Sequence, residues 1–166
     1  MTPREFFPHM PDAVFDSWLA PFIEQIGWPF ESPDDDLSSS RWKYLLGIVP
    51  LSVWHGCTWS LCKVNIAVIR INPSSQWAYQ SIIDHATTGA LTAITANLQN
   101  TQERFRACTE YVRANGALPS PIVAIIRNNM LEVMDGNHRL AALFHVGVTD
   151  PCWISAWIPS PSQPHE

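Results

Sequence analysis

Ile122-Val123-Ala124-Ile125-Ile126-Arg127-Asn128-Asn129-Met130-Leu131-Glu132-Val133-Met134-Asp135-Gly136-Asn137-His138-Arg139-Leu140-Ala141-Ala142-Leu143 is the stretch on which the fold turns. Two apolar, β-branched-rich runs, 122–126 and 131–134, flank Arg127-Asn128-Asn129, which has the chemistry of a tight turn, so they predict a hairpin. Beyond them Leu140, Leu143 and Phe144, with Ala141 and Ala142 between, keep helical spacing until Gly147, placed as a C-terminal stop. The polar cluster Asp135–Arg139 therefore ends a strand and opens a helix.

That position has chemical consequences. The first N–H groups of a helix have no partner within it, and the aligned peptide dipoles place partial positive charge there, so an anion is attracted. Gly136 permits a tight turn and Asn137 follows it. Arg139 can grip phosphate oxygens bidentately and His138 can donate another hydrogen bond. Two cationic residues in a first turn run against the dipole, which points to a bound anion. Asp135 would repel a phosphate unless it binds a divalent cation, caps the helix or takes a proton during a reaction. Glu132 alternates with Leu131 and Val133, so it points away from them and is a candidate base or metal ligand near the site. The plain alternative is a polar turn with a helix cap and Arg139 on a solvated face. With nucleoside triphosphate supplied, a turn left empty or a guanidinium locked into an internal salt link would overturn the anion-binding reading.

The Asp-Gly-x-His-Arg turn, between a hairpin strand and a helix, resembles the signature of the ParB/sulfiredoxin superfamily. The pattern extends upstream through the helix Arg104–Ala117 and the segment Leu118–Val123. The resemblance implies an α+β fold, a small mixed sheet with surrounding helices, here with an extra N-terminal helix. It also implies phosphate contacts from Arg104, Arg106 and Thr109 on the upstream helix, ATP or another nucleoside triphosphate as ligand, and Mg²⁺. Asn137 stands where sulfiredoxin-type enzymes need a nucleophilic cysteine, which argues against sulfinic acid reduction. ParB-type partition proteins carry a different turn and a further DNA-binding domain. Free-serine kinases share the turn but need an upstream glutamate that the sequence does not place. What survives is a resemblance to plasmid-borne members associated with ATP hydrolysis, DNA cleavage and fertility inhibition. On that basis catalysis is assigned to Asp135, His138 and Glu132, metal binding to Asp135, and phosphate binding to Gly136, Asn137, His138, Arg139, Arg104, Arg106 and Thr109. A non-catalytic, nucleotide-gated protein-binding module and a kinase-like phosphotransferase are the alternatives.

Composition bounds the rest. At 166 residues and 46% hydrophobic the chain has the material for an ordinary globular core. Residues 1–40 hold one basic residue against eight acidic ones, while 41–166 hold nine basic against seven acidic. DNA-binding surfaces concentrate far more Lys and Arg, so DNA contact is expected to be weak, through Arg104, Arg106, Arg113 and Arg127. Eight tryptophans, Trp18, Trp28, Trp42, Trp54, Trp59, Trp77, Trp153 and Trp157, are too many to assign wholly to a core, and a Trp-rich partner surface is expected. Cys57, Cys62, Cys108 and Cys152 lack the paired spacing of a zinc site. With no apolar run of membrane-spanning length and no secretory pattern, the expectation is a cytoplasmic protein with free thiols.

Along the chain, residues 1–40 read as an N-terminal helix over Pro11–Ile26, kinked at Pro21, followed by an acidic loop. Residues 41–158 read as the ParB/sulfiredoxin-like domain and 159–166 as a loose tail. Within the domain, strands are expected at Val64–Ile71 and Pro151–Ile158, and helices over Ser75–Asn100, broken near Gly89, and over Thr101–Ala114.

Overall fold

The computed structural model describes residues 1–38, 40–97, 100–148 and 152–161. The fold is mixed α+β. It divides into two compact units, Met1–Leu61 with Trp157–Glu166, and Cys62–Ala156. The boundaries fall within strands rather than at residues 40 and 158, because the strands β1 (Cys57–Asn65) and β5 (Trp153–Pro161) each run through a boundary. Strand β5 continues through Pro161, so residues 159–161 of the expected loose tail are strand. The rest of that tail, 162–166, lies outside the described residues, as do the expected helix residues 98–99.

In the first unit, α1 (Asp12–Val14), a π-helical turn (Phe15–Leu19) and α2 (Ala20–Ile26) follow without interruption. Pro21 explains the widened turn: it lacks an N–H, and its ring would collide with the carbonyl four residues back, so the backbone loosens just before it instead of breaking. Helices α3 (Trp42–Leu45) and α4 (Leu51–Gly56) are short. The core is aromatic. Trp28 meets Phe6, Phe7, Phe30 and Trp42 edge-on at centroid distances of 5.1, 5.7, 4.9 and 4.8 Å. Trp18 meets Trp54 at 5.6 Å. Two of the indole N–H groups find backbone carbonyls, Trp42 Nε1 donating to Gly27 O at 3.0 Å and Trp54 Nε1 to Leu46 O at 3.2 Å, whereas Trp18 Nε1 and Trp28 Nε1 are buried without a partner. Of the eight tryptophans only Trp77 and Trp153 are exposed, so the expected Trp-rich surface is instead largely a Trp-rich core.

The second unit carries α5 (Pro73–Thr88), α6 (Thr101–Asn115), α7 (Asn137–Val146) and the strands β2 (Arg70–Ile71), β3 (Ile122–Arg127) and β4 (Met130–Asp135). The five-stranded sheet has the order β1-β5-β3-β4-β2, with β3 antiparallel and β2 parallel to β4. The hairpin read from Arg127-Asn128-Asn129 is present, with Asn128 and Asn129 both at positive φ (51° and 59°), as a tight hairpin requires. Helices α5 and α7 end where expected, Gly89 and Gly147 taking left-handed caps.

The ladder is irregular at one point. Ala124 pairs with Val133, but Val123 pairs with Asp135, leaving Met134 as an extra residue on β4. Cross-strand partners share a face, so this bulge moves Asp135 off the face of Leu131 and Val133 and onto that of Glu132. The Val133 N–H finds Ser75 Oγ on α5 at 3.2 Å.

Candidate functional site

The turn at the end of β4 is built by two constraints on one glycine. Gly136 has φ 110°, a conformation that side chains rarely adopt, and a Cβ there would lie 2.6 Å from Ile122 Cγ2. The close approach that demands glycine is thus to the first residue of β3. Gly136 is the N-cap of α7 and no side chain caps the helix, so its opening amides carry the dipole's partial charge uncapped.

Arg139 lies one turn into α7 and is committed internally. Its Nη2 donates to Asp135 Oδ2 at 2.8 Å, and its Nη1 donates to Ser120 Oγ at 2.6 Å and to the Pro121 carbonyl. The side chains of this ion pair are only 15% and 23% exposed. The expectation that Arg139 grips phosphate is therefore corrected: in this structure its guanidinium ties the hairpin entry to the helix start. Sequence spacing did show Asp135 and Arg139 four apart, but it did not show that the segment 120–121 returns to the same guanidinium.

The pair changes what Asp135 is. Burial raises its carboxyl above the usual range, outweighing the pull of Arg139 and Arg104 and the hydrogen bonds it accepts from Arg139 and the Gly136 backbone. His138 is 7% exposed, and burial, then the nearby Arg104 and Arg139 charges, push its pKa down to about 4. The imidazole is neutral at physiological pH. Its Nε2, and the Oδ1 of Asn137, are buried without a hydrogen-bond partner. Arg104, on α6, is exposed, its guanidinium makes no hydrogen bond or ion pair among the described residues, and it acts electrostatically on Asp135, His138 and Cys108. Cys108, one turn along α6, was missed in the sequence, where only its spacing to other cysteines was weighed. Burial raises its thiol despite Arg139 and Arg104.

The remaining candidates are elsewhere. Glu132 shares the face of Asp135, but its carboxylate lies 3.3 Å from Arg127 Nη1, so its charge is already answered on the hairpin. Thr109 is buried and donates its hydroxyl to Phe105 O at 2.8 Å. Thr109 and Arg106 line a different groove, of about 830 Å³, with Glu103, Glu110, Arg113 and His145. The four arginines expected to touch DNA do not make one basic stripe, since Arg106 and Arg113 alternate with glutamates and Arg127 pairs with Glu132. Among the described residues no group of three or more His, Cys, Asp and Glu is placed to hold a metal ion, and no helix is long and apolar enough to cross a membrane.

No protein-family model, curated protein or solved structure matches this chain.

Proposed function

We propose that this chain binds the phosphates of a nucleotide at the start of α7 and hydrolyses them, an ATPase or DNase of ParB/sulfiredoxin type and, by that resemblance, a mobile-element effector. The observation that carries the reading is His138 Nε2, a buried ring nitrogen without a hydrogen-bond partner, at a helix start with no side-chain cap beside an uncommitted guanidinium. Buried polar atoms are nearly always satisfied, and exceptions call for an explanation such as a ligand. With Asp135 and Arg139 neutralising each other and His138 neutral, Arg104 leaves the turn with one net positive charge beside the helix dipole. The carboxylate that would repel a phosphate is already compensated. In this reading His138 donates a hydrogen bond to phosphate, Arg104 supplies charge, Arg139 positions the turn, and Asp135 is the group that moves a proton. Mg²⁺ takes few protein ligands when it arrives on phosphates, so Asp135 alone suits a substrate-borne ion and not a resident one.

A second reading, nucleotide binding without turnover, is favoured by the commitment of the two carboxylates assigned to the turn, Asp135 and Glu132, to arginines. One experiment separates them: thermal shift with ATP, with and without Mg²⁺, alongside phosphate release and plasmid nicking. Stabilisation with turnover supports the hydrolase, and stabilisation alone supports the binding module. Absence of both for ATP, GTP and DNA, or full binding by Arg104→Ala, overturns the assignment.

A further inference from the structure

The solvent face of α6 carries Glu103, Arg106, Glu110 and Arg113, all exposed and none within ion-pair distance of any described residue. Their spacing of three, four and three residues would ordinarily let them pair along the helix. Instead they stand apart along the wall of the groove that Phe105 and His145 also line.

The order of charges is symmetric under reversal. About the level of residue 108, Glu103 stands as far from the centre as Arg113, and Arg106 as far as Glu110, with opposite sign in each case. At 100° per residue all four fall within a stripe about 80° wide on the helix face opposite Cys108. A second α6 laid antiparallel on this stripe places Glu103 opposite Arg113 and Arg106 opposite Glu110, twice each, around one two-fold axis. This is the self-complementarity that a closed, isologous contact needs. A parallel copy in the same register would set like charges against each other.

We infer that this face of α6 is a self-association surface, and that its occupant is a second copy of the chain bound antiparallel through four reciprocal Glu–Arg pairs. One helix face covers less than the roughly 800 Å² per partner of a stable interface, so the dimer is dissociable and weakens with salt. The inference is independent of the α7 turn.

The test is sedimentation equilibrium of the full chain at low and high salt, with circular dichroism to confirm folding. The wild type associates as protein concentration rises at low salt and loses association at high salt. Glu110→Arg sets Arg106 against an arginine on both sides of the axis and raises the Kd about tenfold or more. The swap Arg106→Glu with Glu110→Arg restores pairing and association. Should Glu110→Arg fail to fold, Glu103→Arg and its swap with Arg113→Glu serve identically. A wild type that stays monomeric at low salt, a Glu110→Arg chain that associates as well as the wild type, or a swap that does not recover overturns the proposal.

Discussion

Lowering the pH should unfold this protein partly through one imidazole. His138 is buried at the first turn of α7 with its pKa pushed down to about 4, against about 6.5 in an unfolded chain. The folded pKa is depressed, so between these values the unfolded state binds a proton that the folded state refuses, and stability falls as pH falls through this window. From pH 7 to about pH 4.5 the two values give a loss of roughly 2 to 3 kcal/mol, a large share of the stability of an ordinary domain. Asp135 works in the opposite direction: its raised folded pKa means that its contribution declines as pH climbs through and above the usual carboxylate range. Comparing wild type with His138→Gln removes that background, since both chains keep Asp135. Urea unfolding followed by far-ultraviolet circular dichroism at several pH values measures the difference. The variant should show the shallower dependence by about 2 kcal/mol over this range. Equal pH dependence in the two chains would refute the claim that His138 is held neutral by burial beside two guanidinium groups.

Three other perturbations discriminate between structural and ligand-facing groups. Arg139→Ala leaves the Asp135 carboxylate and the Pro121 carbonyl without their donor and should cost about 2 to 4 kcal/mol in chemical denaturation. Arg139→Lys should recover only part of this, since an ammonium cannot span three acceptors as a guanidinium fork does. Arg104→Ala should alter stability by less than about 0.5 kcal/mol, because the side chain is exposed, while abolishing most of the ATP-dependent rise in Tm. Gly136→Ala should cost about 2 kcal/mol or more, adding the positive-φ strain to the collision with Ile122, whereas Gly116→Ala, with open space around it, should cost only about 1 kcal/mol.

Most elements of the second unit were legible because their signals are local, although of the helix expected from Gly89 to Asn100 the described residues form only a 3-10 turn, Thr95–Asn97. Positive φ at Asn128 and Asn129, the glycine stops at Gly89 and Gly147, and the helical spacing after Asp135 all act within a few residues. What the sequence hid depends on contacts between distant residues or on single insertions. The Met134 bulge is invisible to a period-two pattern, since Leu131 and Val133 are buried as alternation expects, yet it decides which face Asp135 takes. The strand expected over Val64–Ile71 is split in two, the end of β1 and the short β2, because Trp59, Leu61 and Val64 extend the β-prone run upstream while residues 66–69 turn. Arg104 and Arg106 looked equivalent in the sequence, but two residues along a helix is more than half a turn, so only one of them acts on Asp135 and His138. The commitment of Arg139 could not be foreseen, because it rests on a carbonyl 18 residues away.

The distribution of indoles fixes what a fluorimeter will see. Trp18, Trp28, Trp42, Trp54, Trp59 and Trp157 belong to the first unit and only Trp77 and Trp153 to the second. Intrinsic emission therefore monitors melting of the first unit above all, and a quiet spectrum upon nucleotide addition would carry little information about the α7 turn.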